Sequence, residues 1–395
     1  MSMRKNFYKN FSSKTSNGVI PYSRQSIGED DIRAVSKVLR SPFLTQGPEV
    51  GKFESSLTRY SGARYCVVFS SGTAALHAAY FAAGIGHGDE IVMPALTFAA
   101  TANAALYLGA KPVFADIHSG TGNIDVKDAE RKLTKRTKAI VAVDYAGLPA
   151  ELGAVRRLAK KHALVFIEDA AQGLGASYKG KKVGALADMT MFSFHPVKSI
   201  TTGEGGAILT NDRSYYEKLL MFRIHGLTRD PRKLKNKTHA SWLQEMQLLG
   251  YNYRLTDIQA ALGTSQMKKL DRFIKARRVA AKRYVELLAD VPGITLPPRA
   301  GLKNSACHLF VIRVDKYIRD RVFKALRAAG IGVQVHYLPV YLHPYYATLG
   351  YRKGLCPSAE AYSAACMSIP LFPGITKRQQ VFVVDKLKKI LQQYA

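Results

Sequence analysis

Seven short apolar runs, set between stretches of helical composition, govern what this chain can fold into. They are Cys66–Phe69, Glu90–Met93, Pro112–Phe114, Ala139–Val143, Leu164–Ile167, Met189–Phe192 and Ala207–Leu209. A run that is apolar at nearly every position has no face to offer water, so it belongs in a sheet covered on both sides. Helix-forming residues fill intervals at Thr73–Ala83, Ala99–Leu108 and Leu152–Lys161, with Ser71 and Thr97 near two of the starts. The alternation predicts an α/β fold with a large, mostly parallel, seven-stranded sheet.

At 395 residues the chain exceeds what one core usually holds, so a second lobe is expected. From Asp257 to about Ala289 there is no proline and only Gly263 among glycines, which predicts a long connecting helix. Gly293–Pro298 marks a boundary. The remainder predicts a smaller C-terminal α/β domain, with strands near His308–Val314 and Ile331–His336 and helices at Arg319–Ala329 and Lys377–Gln392. The expected division is a basic N-terminal extension (residues 1–21), a large ligand-binding domain (22–255), and the connecting helix with the small domain (256–395).

Several classes are disfavoured. Cys66, Cys307, Cys356 and Cys366 form no CxxC pair, so neither a metal site nor a disulfide framework is expected, and a reducing cytoplasm fits best. Arg4, Lys5 and Lys9 are not followed by an apolar segment, so no signal peptide is expected. Met93–Ala110 is uncharged but carries Pro94, Thr97, Thr101 and Asn103, which predicts a buried loop and helix and no membrane insertion. The net charge is +29, with dense basic groups at Lys132–Lys138, Arg229–Lys237 and Lys275–Arg283. None sits in a nucleic-acid-binding motif; the groups read as surface charge suited to an anionic substrate, and no nucleic-acid partner is expected. Gly175–Lys182 approaches a phosphate-binding loop but ends in Lys182 where Ser or Thr is needed, and its glycines predict a hairpin.

Two of the apolar runs end in reactive groups. Leu164–Ile167 leads into Glu168 and Asp169, then Ala170-Ala-Gln172; Met189–Phe192 leads into Ser193 and on to Lys198 and the glycine-rich Thr201–Gly206. Open α/β sheets bind ligands beyond the carboxyl ends of their strands, so Lys198 reads as a chemical lysine. Ser70-Ser-Gly-Thr73 follows one strand and opens a helix, where amides and hydroxyls face a phosphate; an ordinary helix cap is the alternative. Ser193 adds a hydroxyl to the same phosphate, Asp169 pairs with a ring nitrogen, and Phe98 stacks on the ring unless it is a plain core aromatic. A lysine, a carboxylate, a phosphate cup and an aromatic face together describe a pyridoxal 5'-phosphate site.

The stretches Phe43–Gly47, Ser71–Leu76, Pro94–Asn103, Glu168–Gln172, Ser193–Gly206 and Gly250–Asp257 make the chain resemble the DegT/StrS-type sugar-nucleotide aminotransferases, fold-type I pyridoxal phosphate enzymes, from about Tyr22 onward. The resemblance implies that Lys198 attaches covalently to the cofactor, that Asp169 holds the pyridinium nitrogen, and that Gln172 and Phe98 lie against the ring. It assigns Gly72, Thr73 and Ser193 to the phosphate. Asn252 reaches the neighbouring subunit's cofactor, so a homodimer with shared active sites is implied. Tyr22, Thr45, Arg254, His336 and Tyr337 match positions lining the sugar-nucleotide pocket.

Phe98–Asn103, Phe194–Thr202 and Gly330–Tyr337 narrow the resemblance to members acting in pseudaminic acid biosynthesis. These aminate UDP-2-acetamido-2,6-dideoxy-beta-L-arabino-hex-4-ulose with L-glutamate, passing through pyridoxamine 5'-phosphate, to give a 4-amino sugar for a surface glycan. The alternatives are a GDP- or dTDP-linked 4-keto-6-deoxy sugar as acceptor and, more remotely, a non-catalytic regulator on the same fold. Lysine at 198 separates the chain from sugar 3-dehydratase relatives that carry histidine there; His195 is a neighbour of the site.

Overall fold

All seven apolar runs form strands of one sheet. The computed structural model describes residues 18–235 and 242–394, so most of the basic extension expected at 1–21, and Asn236 and Lys237 of one basic group, lie outside the described residues. The strands are β1 (Tyr65–Phe69), β2 (Glu90–Pro94), β3 (Lys111–Ala115), β4 (Thr137–Val143), β5 (Val165–Asp169), β6 (Met189–Ser193) and β7 (Gly206–Thr210), in the order β1-β7-β6-β5-β4-β2-β3. Six run parallel; β7 is antiparallel to both β1 and β6. A parallel return needs a crossover, usually a helix, and the Phe194–Gly205 connection contains none, so β7 doubles back beside β6.

Helices cover the sheet: α1 (Glu29–Leu39), α2 (Pro48–Ser61), α3 (Gly72–Ala82), α4 (Ala99–Leu106) and α5 (Leu152–Lys161) precede β6, and α6 (Arg213–Phe222) follows β7. α3 is buried over most of its length because it carries five alanines, small enough for the backbone to lie close to the strands. One face of the sheet packs Phe69, Met93, Phe114 and Ile167; the other packs Val68, Phe192 and Leu209. Each such large side chain contributes roughly 1.5–3 kcal/mol of burial. Gly175–Lys182 forms the expected hairpin, with Ser177–Tyr178 paired to Lys181–Lys182.

The C-terminal part differs from expectation in two places. The long helix is two, α7 (Asp257–Met267) and α8 (Leu270–Leu287), interrupted where Lys268 and Lys269 turn the chain and the Lys269 amine binds Asp30 and Asp31 of α1. Ile331–His336 is not a strand, because its backbone bonds are divided between Ile20 and Ser368 one residue at a time. The sheet of this lobe instead pairs β8 (Phe310–Arg313) antiparallel with β9 (Cys366–Ile369), a run absent from the sequence-based expectation. α9 (Arg319–Ala328) and α10 (Lys377–Leu391) form as expected, and Val285, Ile312, Leu326 and Val384 fill the core beneath them. The segment before α1 joins this lobe: Ile20 bonds to Gly330 and Gly332, and the Tyr22 carbonyl accepts the Leu371 amide at 2.9 Å.

Among the described residues no helix is long and apolar enough to cross a membrane. Met93–Ala110 resolves into the end of β2, a buried loop and α4.

Candidate active site

The register of the sheet brings its reactive ends together. Gly206, which opens β7, pairs with Phe69 at the end of β1 and with Ser193 at the end of β6, while Asp169 at the end of β5 pairs with Val143 of β4. Immediately after β1, Ser71 caps α3, its hydroxyl accepting the Ala74 amide at 3.1 Å. The cap leaves the Gly72 and Thr73 amides outside the helix's own bonding, at its positive end. Gly206 is required here: a Cβ would lie 2.5 Å from the Ser71 carbonyl oxygen and 2.7 Å from the Gly72 nitrogen. A Cβ on Gly72 would sit 3.2 Å from Ser193 Cβ, so glycine lets the serine close against the turn and form one cup with it.

Opposite the cup, Asp169 is buried. It accepts the Thr101 hydroxyl at 2.7 Å and the Ala171 amide at 3.1 Å, and the Thr101 hydroxyl is itself joined to that of Thr97 at 2.8 Å. Burial pushes the Asp169 carboxyl up, while these bonds and the Lys198 charge pull it down. Gln172 is fixed at both ends: Oε1 accepts the Ala146 amide at 2.7 Å and Nε2 donates to the Tyr337 hydroxyl at 2.8 Å. Phe98, just before α4, is 60% exposed, and its ring centre lies 5.9 Å from that of Tyr337.

Lys198 sits on a loop folded back on Phe194, whose carbonyl accepts from the Thr201 hydroxyl and the Thr202 amide, both at 3.0 Å. Burial pulls the lysine amine down to about 8, with Asp169 opposing the shift. The neutral form, which a nucleophilic amine requires, is therefore more accessible near physiological pH than for an ordinary lysine. On the far wall, His336 shares a hydrogen bond of 2.8 Å with the Ser368 hydroxyl, and its ring centre is 5.6 Å from that of Tyr22. Burial, reinforced by Lys198, lowers the His336 imidazole to about 4; burial raises both the Tyr22 and Tyr337 phenols.

One cavity of about 600 Å³ collects ten of the expected residues: Tyr22, Gly72, Thr73, Phe98, Asp169, Gln172, Ser193, Lys198, His336 and Tyr337. Thr45, Asn252 and Arg254 do not line it within one chain. Thr45 is exposed and bridges to Thr256, and Asn252 is exposed and bridges to Ile224. The cavity also takes in His195, Thr97, Thr101 and His308. Thr97, Thr101 and His308 were missed as site residues: they approach from the loop before α4, from α4 and from the entry to β8, and only Thr97, near an expected helix start, gave any signal.

Pyridoxal phosphate fits this donor set. The glycine-lined cup at a helix N-terminus suits its dianion, the buried carboxylate suits a protonated ring nitrogen that would offset its desolvation, and the Lys198 amine suits its aldehyde. Residues 25–388 match the DegT/DnrJ/EryC1/StrS aminotransferase family, and the chain belongs to it: a fold-type I, pyridoxal phosphate-dependent sugar aminotransferase.

Among its relatives, the UDP-4-amino-4,6-dideoxy-N-acetyl-beta-L-altrosamine transaminase of Campylobacter jejuni is 40% identical over 95% of this chain and 98% of its own length. Of solved structures, Helicobacter pylori PseC, an aminotransferase involved in the biosynthesis of pseudoaminic acid, superposes with a TM-score of 0.88 at 35% identity, covering 95% of this chain and all of its own. The putative sugar aminotransferase Spr1654 of Streptococcus pneumoniae, in its PLP form, superposes with a TM-score of 0.89 at 28% identity, covering 96% of this chain and 100% of its own.

Proposed function

We propose that the protein transfers the amino group of L-glutamate to C4 of a UDP-linked 4-keto-6-deoxy sugar, UDP-2-acetamido-2,6-dideoxy-beta-L-arabino-hex-4-ulose, in the cytoplasm, for pseudaminic acid or a related surface glycan. The observation that carries the chemistry is the meeting of the Lys198 amine and the buried Asp169 carboxylate in one cavity with the Gly72–Ser193 cup. The choice of sugar rests on likeness to the Campylobacter and Helicobacter proteins.

Bound pyridoxal phosphate supplies the electron sink and keeps the amine between the two halves of the cycle. Gly72, Thr73 and Ser193 hold its phosphate, Asp169 keeps its ring nitrogen protonated, and Gln172 and Phe98 orient its ring. Lys198 would hold it through Nζ, and the freed Nζ would take the proton from Cα of L-glutamate. In the second half Lys198 Nζ delivers a proton to C4 of the sugar. Tyr22, His336 and Tyr337 line the sugar-nucleotide side, joined by Thr45 and Arg254. Asn252 comes from a second subunit, so the working unit is a homodimer with shared sites.

The test is a product assay with L-glutamate and UDP-, GDP- and dTDP-linked 4-keto-6-deoxy sugars. Amination of the UDP sugar is expected; amination of a GDP or dTDP sugar alone would refute the reading.

A further inference from the structure

Arg277 lies in the basic group Lys275–Arg283, yet it is fully buried on α8. Its Nη1 donates to the carbonyl oxygens of His308 at 3.1 Å and Leu371 at 2.9 Å, whereas Nε and Nη2, also buried, have no partner among the described residues. Among the described residues no carboxylate bears on it: burial draws the guanidinium down to about 10, and Cys307 opposes that shift. Arg277 is therefore charged at neutral pH, with two donors unmet in a medium where an uncompensated charge is strongly unfavourable.

A narrow pocket of about 10 Å³ reaches Arg277 between Ser26, Ser199, Thr201 and Gln266. Besides Lys198, whose amine serves the cofactor, its lining includes one further cationic residue, Arg24, and no Asp or Glu. The space is on the scale of one water, so phosphate, sulfate or a carboxylate ligand does not fit, and a halide, slightly larger than water, has to push the wall back a little. Two arginines, Arg24 and Arg277, without an acid in the lining select for negative charge, and the net charge of +29 adds a field that raises the local anion concentration.

We propose that Arg277 Nε and Nη2, with the Ser199 hydroxyl as a further donor, bind one monoatomic halide of chloride size behind the loop that carries Lys198. The ion joins three separate parts of the chain, the segment at residues 24–26, the loop at 198–201 and α8. It thereby holds the Lys198 loop against the small lobe. The site is independent of which sugar the enzyme accepts.

The test is crystallographic and thermal, on the cofactor-loaded protein. Crystals grown in bromide are expected to show an anomalous peak within hydrogen-bonding distance of Arg277 Nε and Nη2. Thermal unfolding at constant ionic strength is expected to show a Tm higher by about 2–4 °C in chloride than in gluconate for the wild type, and no difference for Arg277→Met. The proposal is overturned if bromide leaves no anomalous density there, a water being the occupant, or if Arg277→Met keeps the chloride-specific shift. Should Arg277→Met fail to fold, the bromide experiment on the wild type decides alone.

Discussion

The Thr101 hydroxyl donates to the buried Oδ2 of Asp169 across 2.7 Å, so α4 reaches over the end of β5 and fixes the carboxylate proposed to pair with the cofactor's ring nitrogen. A hydrogen bond to a buried charged group is worth about 1.5–3 kcal/mol. Thr101→Val keeps the shape and removes the donor. It is expected to weaken pyridoxal phosphate binding by roughly 10- to 100-fold, read by absorbance titration of the cofactor-free protein. Unchanged affinity would show that Thr101 does not support Asp169.

On the proposed role of Lys198, its amine should set the pH dependence of cofactor capture. Only its neutral amine attacks an aldehyde, and burial draws the amine down to about 8. The rate of covalent capture by the cofactor-free protein should rise with pH, level off above about 8, and fall about tenfold per pH unit below it. A rate still climbing steeply toward the ordinary lysine range would contradict the lowered value. Lys198→Arg should fold normally and show no turnover.

Gly206→Ala tests the cup. The added Cβ would meet backbone atoms of Ser71 and Gly72 at 2.5 and 2.7 Å, and backbone cannot swing aside as a flexible side chain can. A destabilisation of about 1–3 kcal/mol is expected by chemical denaturation, together with weakened phosphate binding. A variant with wild-type stability and cofactor affinity would mean that the turn relaxes freely.

Much of this arrangement was legible in the sequence, for physical reasons. Strands buried on both faces leave continuous apolar runs, so all seven appeared, and Asp169 and Lys198 stood out because each follows one. β9 did not, being four residues long with Ser368 inside it. The break between α7 and α8 carries neither Gly nor Pro; it depends on Lys269 reaching Asp30 and Asp31, more than two hundred residues away in sequence. Thr101 and His308 belong to the cavity only because separate elements converge on it. Arg277 sits among surface-like basic residues, and only its helical spacing from Phe273, Ile274, Ala281 and Tyr284 marks it as buried.

Glu168, beside Asp169 on β5, should make stability depend on pH. Burial, reinforced by the Asp169 charge and opposed by the Thr190 hydroxyl at 2.8 Å, raises its carboxyl from 4.5 to about 7. The fold thus favours the protonated form, and this contribution is complete below the ordinary carboxylate range and lost as pH rises through about 7. Glu168→Gln mimics the neutral form and should flatten that part of the profile, raising Tm by about 2–4 °C on the alkaline side. Thermal scans across the pH range decide it, and an unchanged profile would assign the ionisation elsewhere.

Asn252 offers a test of the shared site. It is exposed in one chain, while the carbonyl of its neighbour Tyr253 accepts the Ser70 amide at 2.8 Å, which ties the segment to the start of the chain's own Ser70–Thr73 turn. Asn252→Ala and Lys198→Ala should each be inactive or severely impaired as homodimers. Mixed subunits should recover activity at one of two sites, and no recovery in verified heterodimers would remove Asn252 from the partner's site.

The most direct measurement follows the amino group itself. Incubation of the protein with L-glutamate carrying isotope-labelled nitrogen and the UDP-linked 4-keto-6-deoxy sugar should place the label on C4 of the UDP sugar, and Lys198→Arg should abolish the transfer. Unlabelled UDP sugar after incubation with active wild-type protein, or label transfer that persists in Lys198→Arg, would contradict the account.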